Sequence, residues 1–276
     1  MKKGLFPIMT VILLVLAGCS DEEPAQQVTE PETRETEEPD TVEVVPADRP
    51  AAEEPDEKVK EDVSEPLYEM NPNTFSIEPI GEADPQVVLL TIDDAPDKRA
   101  LDMAKTLKEL EASAIFFVNG HFIDTEEKQG VLKEIHEMGF LIGNHTQTHA
   151  NLKELSEEEQ RQEILTVSDT VEEITGERPR FFRAPFGANT EFSKRIAEED
   201  GMLVMNWSYG YDFEKAYMTR EKIAEIMVNT ELLRNGSNLL MHDREWTADA
   251  LEEIVLGLRE KGYEMVDPLT IKGVSD

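Results

Sequence analysis

The sequence predicts an α/β domain whose parallel strands roll into a distorted (β/α) barrel, preceded by a long acidic linker. Three observations carry that expectation. Seven short apolar runs alternate with stretches of helical spacing between residues 87 and 266, the pattern of repeated strand–helix units around a parallel sheet. Polar residues fall at the ends of those runs, which in a parallel barrel form one face. Composition changes sharply near residue 66.

The strand runs come first in the domain. Val87–Ile92 is continuously apolar apart from Thr91 and ends in Asp93-Asp94, as a buried strand does. Ala100, Met103, Ala104, Leu107 and Leu110 then recur at helical spacing. Residues 114–118 form a second buried strand, stopped by Asn119-Gly120. A short helix over Val131–Met138 ends at Gly139, a residue suited to a helix C-terminus. Residues 140–143 are the third strand. Ser156-Glu157-Glu158-Glu159 reads as a capping box opening a helix to about Ile174, with Gly176 after it. Phe181-Phe182-Arg183 is the fourth strand, followed by a helix near residues 190–200 and a fifth strand over 202–207. A helix near 219–233 precedes the sixth strand at 238–241. A last helix over 248–261 leads to the seventh strand at 263–266.

The first 66 residues have a different character. Lys2 and Lys3 precede an apolar run from Leu5 to Ala17, the layout of a secretory signal. It ends in Leu16-Ala17-Gly18-Cys19, which resembles a bacterial lipobox; the single cysteine of the chain occupies the position that takes lipid. Beyond it, no apolar run reaches the ~18 residues of a spanning helix. Residues 20–66 hold 18 Asp or Glu, four Lys or Arg and seven prolines, with no aromatic residue. Such a segment buries too little apolar surface to offset its ordering entropy and is expected to be an extended spacer. The expected organisation is therefore a leader over 1–18, lipidated Cys19 with its linker over 19–66, and a domain over 67–276.

Charge narrows the function. The chain carries 60 acidic and 27 basic side chains, a formal charge of −33. This argues against nucleic acid, where Lys and Arg must neutralise phosphates. One cysteine excludes a disulfide scaffold.

The strand ends then point to chemistry. Asp93 and Asp94 end the first strand, His145 follows the third, Arg183 ends the fourth, Trp207 the fifth, and His242-Asp243 the sixth. His145 and His149 stand at i and i+4, so both rings can reach one ion. Two histidines with a carboxylate are a common hydrolytic zinc set that leaves positions open for water and substrate. By contrast, His121 and His136 read as structural histidines.

These residues resemble the polysaccharide deacetylase (NodB-homology) family over about residues 85–270. Thr91-Ile92-Asp93-Asp94-Ala95-Pro96 resembles its Thr-Phe-Asp-Asp-Gly-Pro. His145–His149 matches its His-Thr-x-x-His, Arg183–Gly187 its Arg-x-Pro-Tyr/Phe-Gly, and Leu240–His242 its Leu-x-His. The resemblance implies a barrel with fewer than eight full units. It also implies that Asp94, His145 and His149 hold a divalent metal, Zn²⁺ first, with Co²⁺ or Ni²⁺ as alternatives. Asp93 would be the general base with Arg183 as its counter-charge, and His242 the general acid. The N–H of Phe186, after Pro185, would hold the oxyanion, while Trp207 and Leu240 would line the acetyl-methyl pocket.

Two departures stand out. Ala95 occupies the usual Gly position, where a positive φ would be strained. The fourth motif is irregular, and only Asp212-Phe213 can stand for the family's Asp-Trp, leaving the partner of His242 open. The implied reaction is removal of acetate from N-acetylglucosamine of peptidoglycan, on the outer face of the membrane, by a lipid-anchored enzyme expected to be monomeric. N-acetylmuramic acid or a chitin-like glycan are alternative substrates, and a non-catalytic wall-binding lipoprotein is the alternative from another class.

Overall fold

The computed structural model describes residues 65–274. The expected leader, Cys19 and the linker up to residue 64 lie outside the described residues. A hairpin that the sequence did not announce comes first, pairing β1 (Tyr68–Met70) with β2 (Ile77–Pro79) in antiparallel register. Each strand is only three residues, too short for alternation to show. Its turn is closed by the Asn71 side chain, whose Oδ1 accepts from the N–H groups of Asn73 and Thr74.

Seven strands then form one parallel sheet: β3 (Val87–Ala95), β4 (Ile115–Val118), β5 (Leu141–Asn144), β6 (Phe181–Phe182), β7 (Leu203–Val204), β8 (Ser237–His242) and β9 (Glu264–Met265). Their order is β7-β6-β5-β4-β3-β8. The short β9 pairs Val87 and Val88 at the start of β3, on the edge opposite β8. Six helices link them: α1 (Ala100–Glu109), α2 (Glu126–Glu137), α3 (Glu157–Thr175), α4 (Glu191–Glu199), α5 (Arg220–Asn229) and α6 (Glu245–Glu260).

The expected barrel is present, and its distortion has a definite place. β7 ends at Val204, three residues before the expected end of that strand. The chain then crosses to β8 without forming a regular strand. Ser208 N–H donates to Asn238 O at 2.8 Å, and Leu240 N–H donates to Tyr209 O at 2.8 Å. These bonds, with a Tyr209–Leu239 bridge, span the gap between the first and last strands of the order.

Local signals account for most helix ends. The Ser156–Glu159 capping box opens α3, and Gly176 closes it at φ 81. α2 begins at Glu126, five residues before the expected start, because the Thr125 side chain accepts from Lys128 N–H. The first turn of α2 is wholly polar, so apolar spacing could not reveal it. α5 stops at Asn229, short of the expected 233.

Strand alternation sorts the core into two sides. Val88, Leu90 and Ile92 face the helices with Met103, Leu107, Leu251 and Ile254. Val87 and Leu89 face the barrel interior with Ile115, Phe117, Phe181 and Met205. The hairpin and the C-terminal segment contribute Ile77, Tyr68 and Ile271 to this inner cluster. Ile77 N–H donates to Gly236 O, and Gly236 N–H donates to Val87 O, at the N-terminal ends of β3 and β8.

Gly143 in β5 is needed for close approach. A Cβ at that position would lie 2.5 Å from the Phe117 ring. Phe117 is itself fully buried, so the ring has little room to yield. Gly143→Ala is expected to destabilise the domain by about 1–3 kcal/mol, the usual cost of overpacking. For a domain this size that lowers Tm by roughly 2–4 °C per kcal/mol, readable by thermal unfolding; an unchanged Tm would refute the tight contact.

Candidate active site

The same alternation that builds the core builds the site. On β3 the inward positions run Leu89, Thr91, Asp93; on β4, Ile115 and Phe117; on β8, Asn238, Leu240 and His242. Parity continues past β5 to His145 and past β6 to Arg183. Asp93 lies opposite His242 in the register of β3 and β8. Alternation alone would bring in Asp93 and turn Asp94 away. Asp94 instead takes φ 62, and the β3–β4 register shifts between Ile92 and Ala95. Both carboxylates therefore enter one cleft. Aspartate is among the few side chains that visit this left-handed region. The positive φ thus falls on Asp94, and Ala95 sits buried within β3 without one. This removes the expected strain at Ala95.

Arg183 organises the base side. It is fully buried. Nη1 donates to Asp93 Oδ1 at 2.6 Å and to Thr91 Oγ1 at 2.8 Å, and Nη2 donates to Asn206 O at 2.9 Å. Its Cζ lies 4.3 Å from the Phe117 ring centroid, a cation–π contact. Asp93 Oδ2 remains on the cleft side, 3.5 Å from His145 Nε2.

Asp94, His145 and His149 converge, with their donor atoms all within 4.8 Å of one another. Asp94 Oδ1 lies 3.5 Å from His149 Nε2 and 3.9 Å from His145 Nε2. Two ligands at about 2.1 Å from a tetrahedral ion would sit about 3.4 Å apart, so the set fits one divalent cation. The tautomer fits as well. His145 Nδ1 lies 2.7 Å from Arg183 O, which can only accept, so Nδ1 carries the proton and Nε2 presents its lone pair. Burial, and then the neighbouring His145, push the His149 pKa down, favouring the neutral ring that can ligate. Burial alone would raise Asp94, but His145, His242 and Arg244 outweigh it and hold its carboxyl below the usual range.

The acid side resolves the open partner of His242. His242 Nδ1 lies 2.7 Å from Asp212 Oδ1, and Asp212 Oδ2 accepts from His242 N–H at 2.6 Å and Thr247 Oγ1 at 2.8 Å. Trp246 Nε1 donates to Asp212 O. Asp212 is fully buried, so the irregular fourth motif brings a carboxylate into contact with His242. Burial works to lower the His242 pKa. The hydrogen bond and charge of Asp212, with Asp93 and Asp94 behind it, reverse that and leave it raised.

These groups line a cleft of about 350 Å³ with Phe186, Trp207, Leu240 and Phe213 on its walls. Pro185 is buried; Phe186, at φ 58, turns outward and is 68% exposed, its ring centroid 4.8 Å from that of His149. Phe213 is 52% exposed, its ring centroid 5.9 Å from that of His242. Leu240 lies in the floor, nearly buried. All eleven sequence-predicted catalytic, metal and wall residues therefore surround this cleft or support it. His121 and His136 do not line it; His121 Nδ1 meets Gln147 O. Sequence reasoning missed Arg244, which lines the cleft, and the function of Asp243, which is buried and accepts from Lys98 and Arg99 N–H at the start of α1. No spacing marked either.

The polysaccharide deacetylase profile matches residues 80–205. Residues 80–205 belong to the polysaccharide deacetylase family. Among its relatives is a peptidoglycan-N-acetylglucosamine deacetylase of Bacillus cereus, 30% identical over 190 residues, covering 65% of this chain and 66% of that one. PgdA of Listeria monocytogenes is 28% identical over 233 residues, 81% of this chain and 47% of its own. The chain thus spans between about half and two thirds of the length of these relatives. Among solved structures, peptidoglycan deacetylase PdaC of Bacillus subtilis aligns with TM-score 0.59 and 28% identity over 67% of this chain and 90% of that one. A Bacillus anthracis protein described as a CE4 family pseudoenzyme aligns with TM-score 0.60 and 26% identity, over 66% of this chain and 64% of that one. The profile match ends before Asp212 and His242, so their place in the site rests on geometry.

The Asp212–His242 pair yields a pH test. Because its folded value is raised, imidazolium His242 stabilises the fold at low pH, and that contribution fades as pH rises through the folded value. Asp212→Asn removes the main upward influence, so the His242 titration followed by NMR is expected to move to lower pH. A midpoint that stays or rises would contradict the assignment.

Proposed function

We propose that this chain is a metal-dependent hydrolase that removes acetyl groups from N-acetylglucosamine residues of peptidoglycan. One observation carries the reading: a base with its counter-charge, a His₂Asp ligand set and an acid with its supporting carboxylate face one cleft. A protein that only gripped glycan would not need all three. A divalent ion held by Asp94, His145 and His149, Zn²⁺ before Co²⁺ or Ni²⁺, would supply Lewis acidity toward the acetyl carbonyl and toward water.

The remaining work falls to the side chains. Asp93, with Oδ1 engaged by Arg183, uses Oδ2 to take the proton of the attacking water. His242, with Nδ1 turned to Asp212, offers Nε2–H to the leaving nitrogen; the Asp212 hydrogen bond and charge, which raise its pKa, favour the protonated ring that can donate. The Phe186 N–H, on its left-handed turn, stabilises the developing oxyanion. Trp207 and Leu240 shape the pocket for the acetyl methyl group, and the exposed Phe186 and Phe213 rings offer faces to the sugar.

The choice of sugar follows from charge. Arg183 is buried and bound to Asp93, and Arg244 pairs with Asp94 and Asp97. Among the residues lining the cleft there is no further Lys or Arg. A lactyl carboxylate, as on N-acetylmuramic acid stripped of its stem peptide, would meet carboxylates without a free counter-charge, which favours N-acetylglucosamine over that form of N-acetylmuramic acid. The lipobox-like ending at Cys19 and the acidic segment after it support a location on the outer face of the membrane, reaching into the wall.

The second reading is a wall-binding protein without turnover, favoured by the likeness to the Bacillus anthracis pseudoenzyme. Acetate release separates the two. Metal-stripped protein reloaded with Zn²⁺ is expected to release acetate from purified peptidoglycan and from N-acetylglucosamine oligomers, and Asp93→Asn to lose at least about 10²-fold, the lower range for a general base. Glycan binding with no release from reloaded wild type would favour the binding role.

A further inference from the structure

Arg244 is the one cleft residue that neither the motifs nor the mechanism above employs. It stands two residues beyond His242, at the position before α6. Its Nη2 donates to Asp94 Oδ2 at 2.6 Å, while Nη1 reaches Asp97 Oδ2 at 3.3 Å and Asp243 O at 3.1 Å. Asp94 Oδ1, by contrast, faces His145 and His149. The two oxygens of one carboxylate are thus divided between two tasks.

We infer that Arg244 is a positioning residue that clamps Asp94, reserving Oδ2 for itself and presenting Oδ1 alone to the metal. The clamp rests on the metal reading above. Its far end is anchored. Asp97 N–H donates to Asp94 O, and Lys128 Nζ donates to Pro96 O and Asp97 O. Asp243 ties the same turn to the start of α1 through Lys98 and Arg99 N–H. The loop that carries Asp94 is therefore locked to the strand end that carries His242. Groups that orient metal ligands in this way commonly contribute 10–100-fold in metal affinity or activity. The guanidinium fork suits the task, since it can bridge two carboxylates where an ammonium makes one point contact.

The test measures metal affinity directly, by competition of the purified protein with a chromophoric chelator for Zn²⁺ and Co²⁺. Arg244→Met is expected to weaken Kd about tenfold or more and to lower kcat while KM for N-acetylglucosamine oligomers stays the same, since the Arg244 guanidinium is engaged by Asp94 and Asp97. Arg244→Lys is expected to recover part of both losses. Arg220→Met, which removes an exposed ion pair with Glu253, serves as the control and should match wild type. Arg244→Gln, which keeps a donor, replaces the methionine variant if that does not fold. Unchanged or tighter metal binding in the folded Arg244 variants, with wild type binding normally, overturns the clamp and leaves the metal reading standing. Wild type that binds neither ion overturns both.

Discussion

The buried ion pair between Arg183 and Asp93 is the constraint around which the rest of the barrel is arranged. A guanidinium with no exposure carries a heavy desolvation cost, and pairing offsets it only when its donors are satisfied. Here Asp93, Thr91 and Asn206 accept from its two Nη groups and the Phe117 ring lies beneath it, while the buried Nε has no partner among the described residues. The partners come from three places: Thr91 and Asp93 from β3, Phe117 from β4 and Asn206 from the crossing after β7. Gly143 is bare so that Phe117 can lie where it does. The carbonyl of Arg183 fixes the tautomer of His145. One residue thus connects the hydrophobic interior, the base and the ligand set. Such a pair contributes specificity of arrangement more than net stability, since losing either partner would strand a buried charge.

Much of this was readable in the sequence. The strands β3 and β4 are unbroken apolar runs ending in turn residues, and both capping signals of α3 behaved as expected. The fifth strand was overestimated because residues 205–207 keep an apolar and aromatic character while serving the crossing to β8. The polar first turn of α2 and the three-residue strands of the hairpin leave no periodic trace. At the site, motif spacing sufficed for Asp93, Asp94, His145, His149, Arg183 and His242. It could not decide Asp212, whose pairing with His242 joins segments 30 residues apart. Nor could it foresee that Asp94 itself absorbs the positive φ expected near Ala95. Arg244 was invisible because its partners, Asp94 and Asp97, lie about 150 residues earlier in the chain.

The family includes deacetylases and at least one protein described as a pseudoenzyme. Membership therefore assigns a fold and a set of positions, and the state of those positions must be read in each chain. In this one, Asp93 meets Arg183, Asp94 meets Arg244, His145 meets the Arg183 carbonyl and His242 meets Asp212, each in hydrogen-bond contact. The departures from the family pattern, at Ile92, Ala95 and Phe213, fall on residues that pack or line walls. None removes a group that carries a proton or a lone pair.

The hairpin has a consequence for direction. Leu67 N–H donates to Thr270 O, and Ile77 N–H to Gly236 O, so the chain enters the domain where the strands begin. The residues that line the cleft stand where the strands end. Entry and cleft therefore occupy opposite poles of the barrel. The backbone at Leu67 is thus pinned at the pole away from the cleft, and a pull applied there strains the strand starts before it reaches the groups at the strand ends.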